Sequence, residues 1–95
     1  MRVVGEMDID RAEEFRARLL RAVATGGGDL VVDVSALTFC DSAGLNVLLG
    51  ARAEAEEAGR RVCLAGPTLQ VRRLLELTGA LALFPIVPVP GSGTG

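Results

Sequence analysis

The chain contains no histidine, lysine, tyrosine or tryptophan. Those absences remove the usual general base, the commonest metal ligand, the Schiff-base amine and the lysine of a Walker-type phosphate loop. No cofactor or metal is expected, and no enzyme. Without Tyr or Trp there are few platforms for stacking bases, and ten cations, all arginine, against twelve carboxylates leave a net charge of −2 and a pI near 5.0. Neither nucleic acid nor a membrane surface is an expected partner. Cysteine is scarce: Cys40 and Cys63 lie 23 positions apart, without C-x-x-C spacing, and read as small buried apolar residues, a disulfide staying open. Long apolar runs are missing too, because Asp33, Asp41, Glu54 and Arg60 interrupt every stretch of membrane-spanning length, and Met1 leads directly into Arg2-Val3-Val4 with no signal-peptide pattern. The expectation is a soluble, cytoplasmic protein.

What is present is an aliphatic chain of 95 residues, 49% hydrophobic, with three Phe. That length makes one small domain, which removes about 60–68% of its unfolded surface from water on folding. Val3 and Val4 form a short apolar start that stops at Gly5. Asp8 and Asp10 then offer helix caps, with Glu13 three residues past Asp10 as in a capping box. Ala12, Phe15, Leu19, Ala22 and Val23 recur at helical spacing, and Gly26-Gly27-Gly28 ends that helix. Leu30 to Val34 is a β-branched strand with Asp33 inside it. A second helix carries Leu45, Leu48, Leu49, Ala51, Ala55 and Ala58 and stops at Gly59, with Asp41 or Ser42 at its N-terminus. Arg61 to Ala65 reads as a third strand, Gly66-Pro67 as a turn with Pro at or near the first helical position, and Leu69 to Leu77 as a third helix ended by Gly79. Leu81 to Phe84 is a short apolar piece, Ile86-Val87 a last strand, and Pro88 to Gly95 a flexible Pro/Gly tail. Strands alternating with helices at this spacing predict an α/β fold with parallel crossover connections.

The stretch Cys40-Asp41-Ser42-Ala43-Gly44 is where a strand-to-helix junction, a carboxylate, a hydroxyl and a glycine coincide. Capping by Asp41 or Ser42 explains it at the level of about 1 kcal/mol. A hydrolase elbow does not fit, because Cys40 stands at the first glycine position and the chain has no histidine to serve as base. The three glycines at 26–28 close a helix and precede a strand, the reverse of a phosphate cradle. Asp33 has neither the acidic cluster nor the lysine of a receiver-type phosphoacceptor. Glu6, Asp8 and Asp10 place three carboxylates in five residues, which a solvated loop explains as well as any ligand site.

Taken in order, G-E-M-D at Gly5 to Asp8, V-V-D-V-S at Val31 to Ser35 and F-C-D-S-A-G-L at Phe39 to Leu45 resemble the STAS domains of bacterial anti-sigma factor antagonists. Ala58-Gly59, Leu64-Ala65-Gly66, Val71-Arg72-Arg73-Leu74-Leu75 and Thr78-Gly79 extend the resemblance through residues 1–87. It implies a STAS-type fold: a mixed sheet of about four strands with helices packed on it. Such domains carry a further strand ahead of G-E-x-D. Met1 stands four residues before Gly5, so that first strand is expected to be missing here.

The resemblance also implies a function. Such an antagonist binds an anti-sigma factor that is a serine kinase and thereby frees a sigma factor for transcription. The kinase phosphorylates the serine after the Asp of D-S-x-G, here Ser42, and a metal-dependent serine phosphatase reverses it. The implied docking surface comprises Glu6, Asp8, Ile9 and Asp10 together with Cys40, Asp41, Ser42, Ala43, Gly44, Leu45, Val47 and Leu48. Ala43 replaces a hydroxyl residue often found after the target serine. A monomer or weak dimer is expected. The alternative is the same fold as a non-phosphorylated accessory subunit or scaffold of a transporter or signalling assembly.

Overall fold

The computed structural model describes residues 1–90. The first strand, β1 (Arg2–Met7), alternates as a half-buried strand must: Val3 and Met7 face the core, Arg2, Val4 and Glu6 face out. It does not stop at Gly5. The glycine takes φ +93°, a bend that L side chains rarely adopt, and its carbonyl accepts a bond from the Thr38 hydroxyl at 3.1 Å, so pairing continues to Met7.

Helix α1 (Ala12–Ala24) buries Phe15, Leu19 and Val23 at spacings of four. The capping box is absent: Arg11 is the N-cap and makes no side-chain cap bond. Asp8 instead accepts from the Arg11 N–H at 3.2 Å, which closes the turn before the helix, and Asp10 and Glu13 stay exposed.

Strand β2 (Leu30–Cys40) runs 11 residues, well past the expected end at Val34. Ser35 and Thr38 interrupt the apolar run beyond that point. Two irregularities absorb them. Opposite Arg2 and Val4 lie Asp33 and Ala36, and opposite Gly5 and Glu6 lie Leu37 and Phe39, so β2 carries one extra residue at each place, as in a bulge. The Asp33 carboxylate accepts from the Ser35 N–H at 2.9 Å and its hydroxyl at 2.6 Å. Those two donors lower its pKa and satisfy a side chain only 9% exposed.

Helix α2 (Ser42–Glu57), strand β3 (Val62–Ala65), helix α3 (Leu69–Leu77), a 3₁₀ turn at Ala80–Leu83 and strand β4 (Ile86–Val87) complete the order. Pro67 precedes the α3 N-cap, Thr68, rather than occupying the first turn. The sheet order is β1-β2-β3-β4, and all three pairings are parallel. The expected mixed sheet is thus a parallel one among the described residues, since every connection is a crossover returning the chain to the same end. Helices α1 and α2 pack against each other, and β3 is buried along its whole length.

Cys63 lies opposite Val31, whereas Cys40 lies opposite Met7 at the far end of the same strand. Nine strand residues separate the two levels, roughly 30 Å, so no disulfide forms and both thiols are free and buried. Of the expected tail, Val89 is half-buried and its Cγ2 fills the space a Cβ on Gly66 would need. Residues 91–95 lie outside the described residues.

Candidate functional site

The residues singled out in the sequence gather at the C-terminal ends of β1 and β2, the end of a parallel sheet where crossover loops present side chains. Asp41 is the N-cap of α2. One of its carboxylate oxygens accepts from the Ala43 N–H at 3.0 Å and the Gly44 N–H at 3.1 Å, while its carbonyl takes the Leu45 N–H at 2.9 Å. Two orphan donors of the first turn are thereby satisfied. Ser42 is the next residue and the first of the helix. It is exposed, and its hydroxyl makes no hydrogen bond among the described residues. Capping therefore falls to Asp41, and the Ser42 hydroxyl is spare.

The turn is held from below by β1. The Asp41 N–H donates to the Met7 carbonyl at 3.4 Å, and Gly44 seats against that same carbonyl. A Cβ on Gly44 would strike the Met7 carbonyl oxygen and come within 2.8 Å of the Cys40 sulfur and 2.9 Å of Met7 Cγ. Only glycine lets the helix approach so closely. Cys40 itself is 1% exposed, and burial, with the Asp41 charge beside it, pushes its thiol pKa up to about 11. A thiol so protonated is a packing group, not a nucleophile.

From the other side the turn is held by α3, a connection the sequence did not reveal. The Gln70 side-chain oxygen accepts from the Cys40 N–H at 2.9 Å, and its amide nitrogen donates to the Cys40 carbonyl at 2.7 Å. Glutamine on a short amphipathic helix reads as a solvated residue, and nothing local marks it otherwise.

Of the expected docking residues, Glu6, Ile9, Asp10 and Ser42 are exposed and Asp8, Asp41 and Ala43 half-buried. Ile9 is 76% exposed, high for an apolar side chain. Cys40, Gly44, Leu45, Val47 and Leu48 are buried, because they form the inner face of α2 and its approach to β1. Two further apolar residues are exposed: Phe39, at 40%, directly precedes Cys40, and Leu69, at 67%, directly precedes Gln70. Both fall outside the periodic apolar sets of the sequence. The carboxylates of Glu6, Asp8, Asp10 and Asp41 make this end acidic. Among the described residues no three His, Cys, Asp or Glu side chains converge as a metal site would require.

A family model described as "Mlab, STAS domain" matches residues 1–85. The chain belongs to the STAS domain family. This STAS domain is 29% identical over 80 residues to the anti-sigma F factor antagonist of Lysinibacillus sphaericus, an alignment covering 83% of this chain and 68% of that protein. Among solved structures it resembles the anti-sigma factor antagonist SpoIIAA in its unphosphorylated form, with a TM-score of 0.75, 28% identity, and 90% and 76% of the two chains covered. It also resembles the Bacillus cell fate determinant SpoIIAA in the phosphorylated form, with a TM-score of 0.67, 26% identity, and 90% and 78% covered. Relatives of this STAS domain thus carry the anti-sigma factor antagonist name. No helix among its described residues is long and apolar enough to cross a membrane.

Proposed function

We propose that this STAS domain is a cytoplasmic anti-sigma factor antagonist, switched by phosphorylation of Ser42. In its unmodified form it binds an anti-sigma factor that is a serine kinase and so releases a sigma factor. The kinase phosphorylates Ser42, the antagonist dissociates, and a metal-dependent serine phosphatase restores it. The chain performs no catalysis and acts as monomer or weak dimer.

The observation that carries this reading is the exposed, unbonded Ser42 hydroxyl at the start of α2, beside a cap that is already complete without it. A kinase brings its own base and metal, so the substrate needs only a presented hydroxyl. The proposed contact comprises Ser42 with Glu6, Asp8, Ile9, Asp10, Asp41 and Ala43. A phosphate there adds about −1.5 to −2 charge at a helix N-terminus, whose dipole favours an anion. The partner surface, fitted to a hydroxyl, meets bulk and like charge. A penalty of about 3 kcal/mol weakens binding more than 100-fold.

Incubation with the cognate anti-sigma kinase and ATP, read by intact mass, is expected to add one phosphate to the wild type and none to Ser42→Ala. No gain on the wild type, or an equal gain on Ser42→Ala, defeats the assignment. In binding assays Ser42→Ala is expected to hold the kinase and Ser42→Glu to lose most of its affinity. A second reading, a non-phosphorylated subunit or scaffold of a transporter or signalling assembly, draws support from the structural roles of Asp41 and Gly44, which need no phosphate. It predicts equal partner affinity for both Ser42 variants.

A further inference from the structure

Strand β2 outruns β3. Their pairing ends where Asp33 meets Ala65, and from Val34 to Cys40 the strand has β1 on one side and, among the described residues, no strand on the other. The start of α3 fills that place. The Thr68 hydroxyl reaches the Leu37 carbonyl at 3.5 Å, and Gln70 bonds both backbone polar groups of Cys40, at 2.9 and 2.7 Å. Within a strand the N–H and C=O of one residue face the same neighbour, so the Gln70 amide answers Cys40 as an adjacent strand would. The orientation of the amide is dictated by its partners, since Cys40 N–H can only donate and its carbonyl only accept.

Cys40 is followed directly by Asp41, the cap, and Ser42. Below the turn, the bond from Asp41 N–H to Met7 is long at 3.4 Å. The Gln70 pair is shorter, and it comes from an element 30 positions away in sequence. We propose that Gln70 is a positioning residue for Ser42: by clamping Cys40 it fixes where the Asp41 cap begins and therefore where the Ser42 hydroxyl stands. This rests on the reading of Ser42 as the phosphorylated residue. Without the clamp, the Cys40 N–H and carbonyl lose their partner and the turn opens locally, while the sheet below keeps its own ladder. A docked kinase then finds the hydroxyl out of line for part of the time, which lowers turnover rather than docking.

The test uses Gln70→Leu, which keeps the volume and removes both bonds, and Gln70→Glu, which keeps an acceptor but turns a carboxylate toward the Cys40 carbonyl. Amide exchange by NMR is read at Cys40, Ala43 and Gly44, with Leu64 in β3 as the reference. Exchange at the three turn amides is expected to rise about tenfold or more in both variants while Leu64 is unchanged. With kinase and ATP, kcat for Ser42 is expected to fall about tenfold at nearly constant KM. Equal acceleration at Leu64, unchanged turn exchange, or an unchanged kcat overturns the proposal even when the wild type is phosphorylated. A wild type that takes no phosphate defeats the Ser42 reading instead, whatever the exchange data show.

Discussion

At Gly44 the helix α2 meets the Met7 carbonyl so closely that a hydrogen atom is the largest side chain that fits. The glycine is helical, so its role lies in space rather than in backbone freedom. Gly44→Ala is expected to cost about 2–3 kcal/mol by urea unfolding, as overpacking against backbone does; a loss under about 0.5 kcal/mol would mean that α2 moves aside freely. Its neighbour Asp41 acts through a single oxygen on two N–H groups. Asp41→Ala should therefore cost about 1 kcal/mol, and Asp41→Asn only a few tenths, because an amide oxygen caps nearly as well. The sequence shows a cap at Asp41 or Ser42, and the structure gives it to Asp41. The reason for the motif's glycine was not legible there, because Met7 lies 37 positions away and no local signal announces the approach.

Among the elements, α1 shows how a helix can end on a side chain from elsewhere. The triple glycine is the terminator that the sequence predicts, and Gly26 and Gly28 do take positive φ of 80° and 71°. Yet the end is held by Arg60, only 8% exposed. Its guanidinium donates to the carbonyls of Ala22 at 2.9 Å, Val23 at 2.7 Å, Thr25 at 3.1 Å and Gly28 at 2.8 Å. No carboxylate balances the charge among the described residues. The converging carbonyls and the negative end of the α1 dipole do so. Arg60→Met is expected to lose about 2–4 kcal/mol by leaving several carbonyls without their donor. Arg60→Lys should recover only part, since a compact ammonium cannot reproduce the planar fork. Equal stability of Arg60→Lys and wild type in thermal or urea unfolding would contradict this account. Strand β2 teaches the same lesson: its second half is a strand only because β1, Thr68 and Gln70 take up its polar groups.

For the molecule as a whole, a radius of gyration of 12.3 Å matches the roughly 12 Å of a compact chain this long. The site stands at one end of it, on a cap that stays complete without the Ser42 hydroxyl. Phosphorylated protein is therefore expected to keep its far-UV circular dichroism and to melt within about 5 °C of the unmodified form; loss of helix signal would mean that the switch works by refolding instead of at the surface. The sequence by itself determined the α/β order, the three helices with their glycine stops, the strands at Leu30 and Val62, and a cap at Asp41 or Ser42, between which the structure chose. Those features follow from apolar period, capping chemistry and positive-φ glycines, which act over a few neighbouring residues. The tertiary structure alone decided which expected contact residues are buried, how far β2 runs, and that Gln70, Arg60 and Gly44 hold their neighbours in place. Each of those depends on where an element thirty or more positions away comes to rest, and packing sets that position, not local preference.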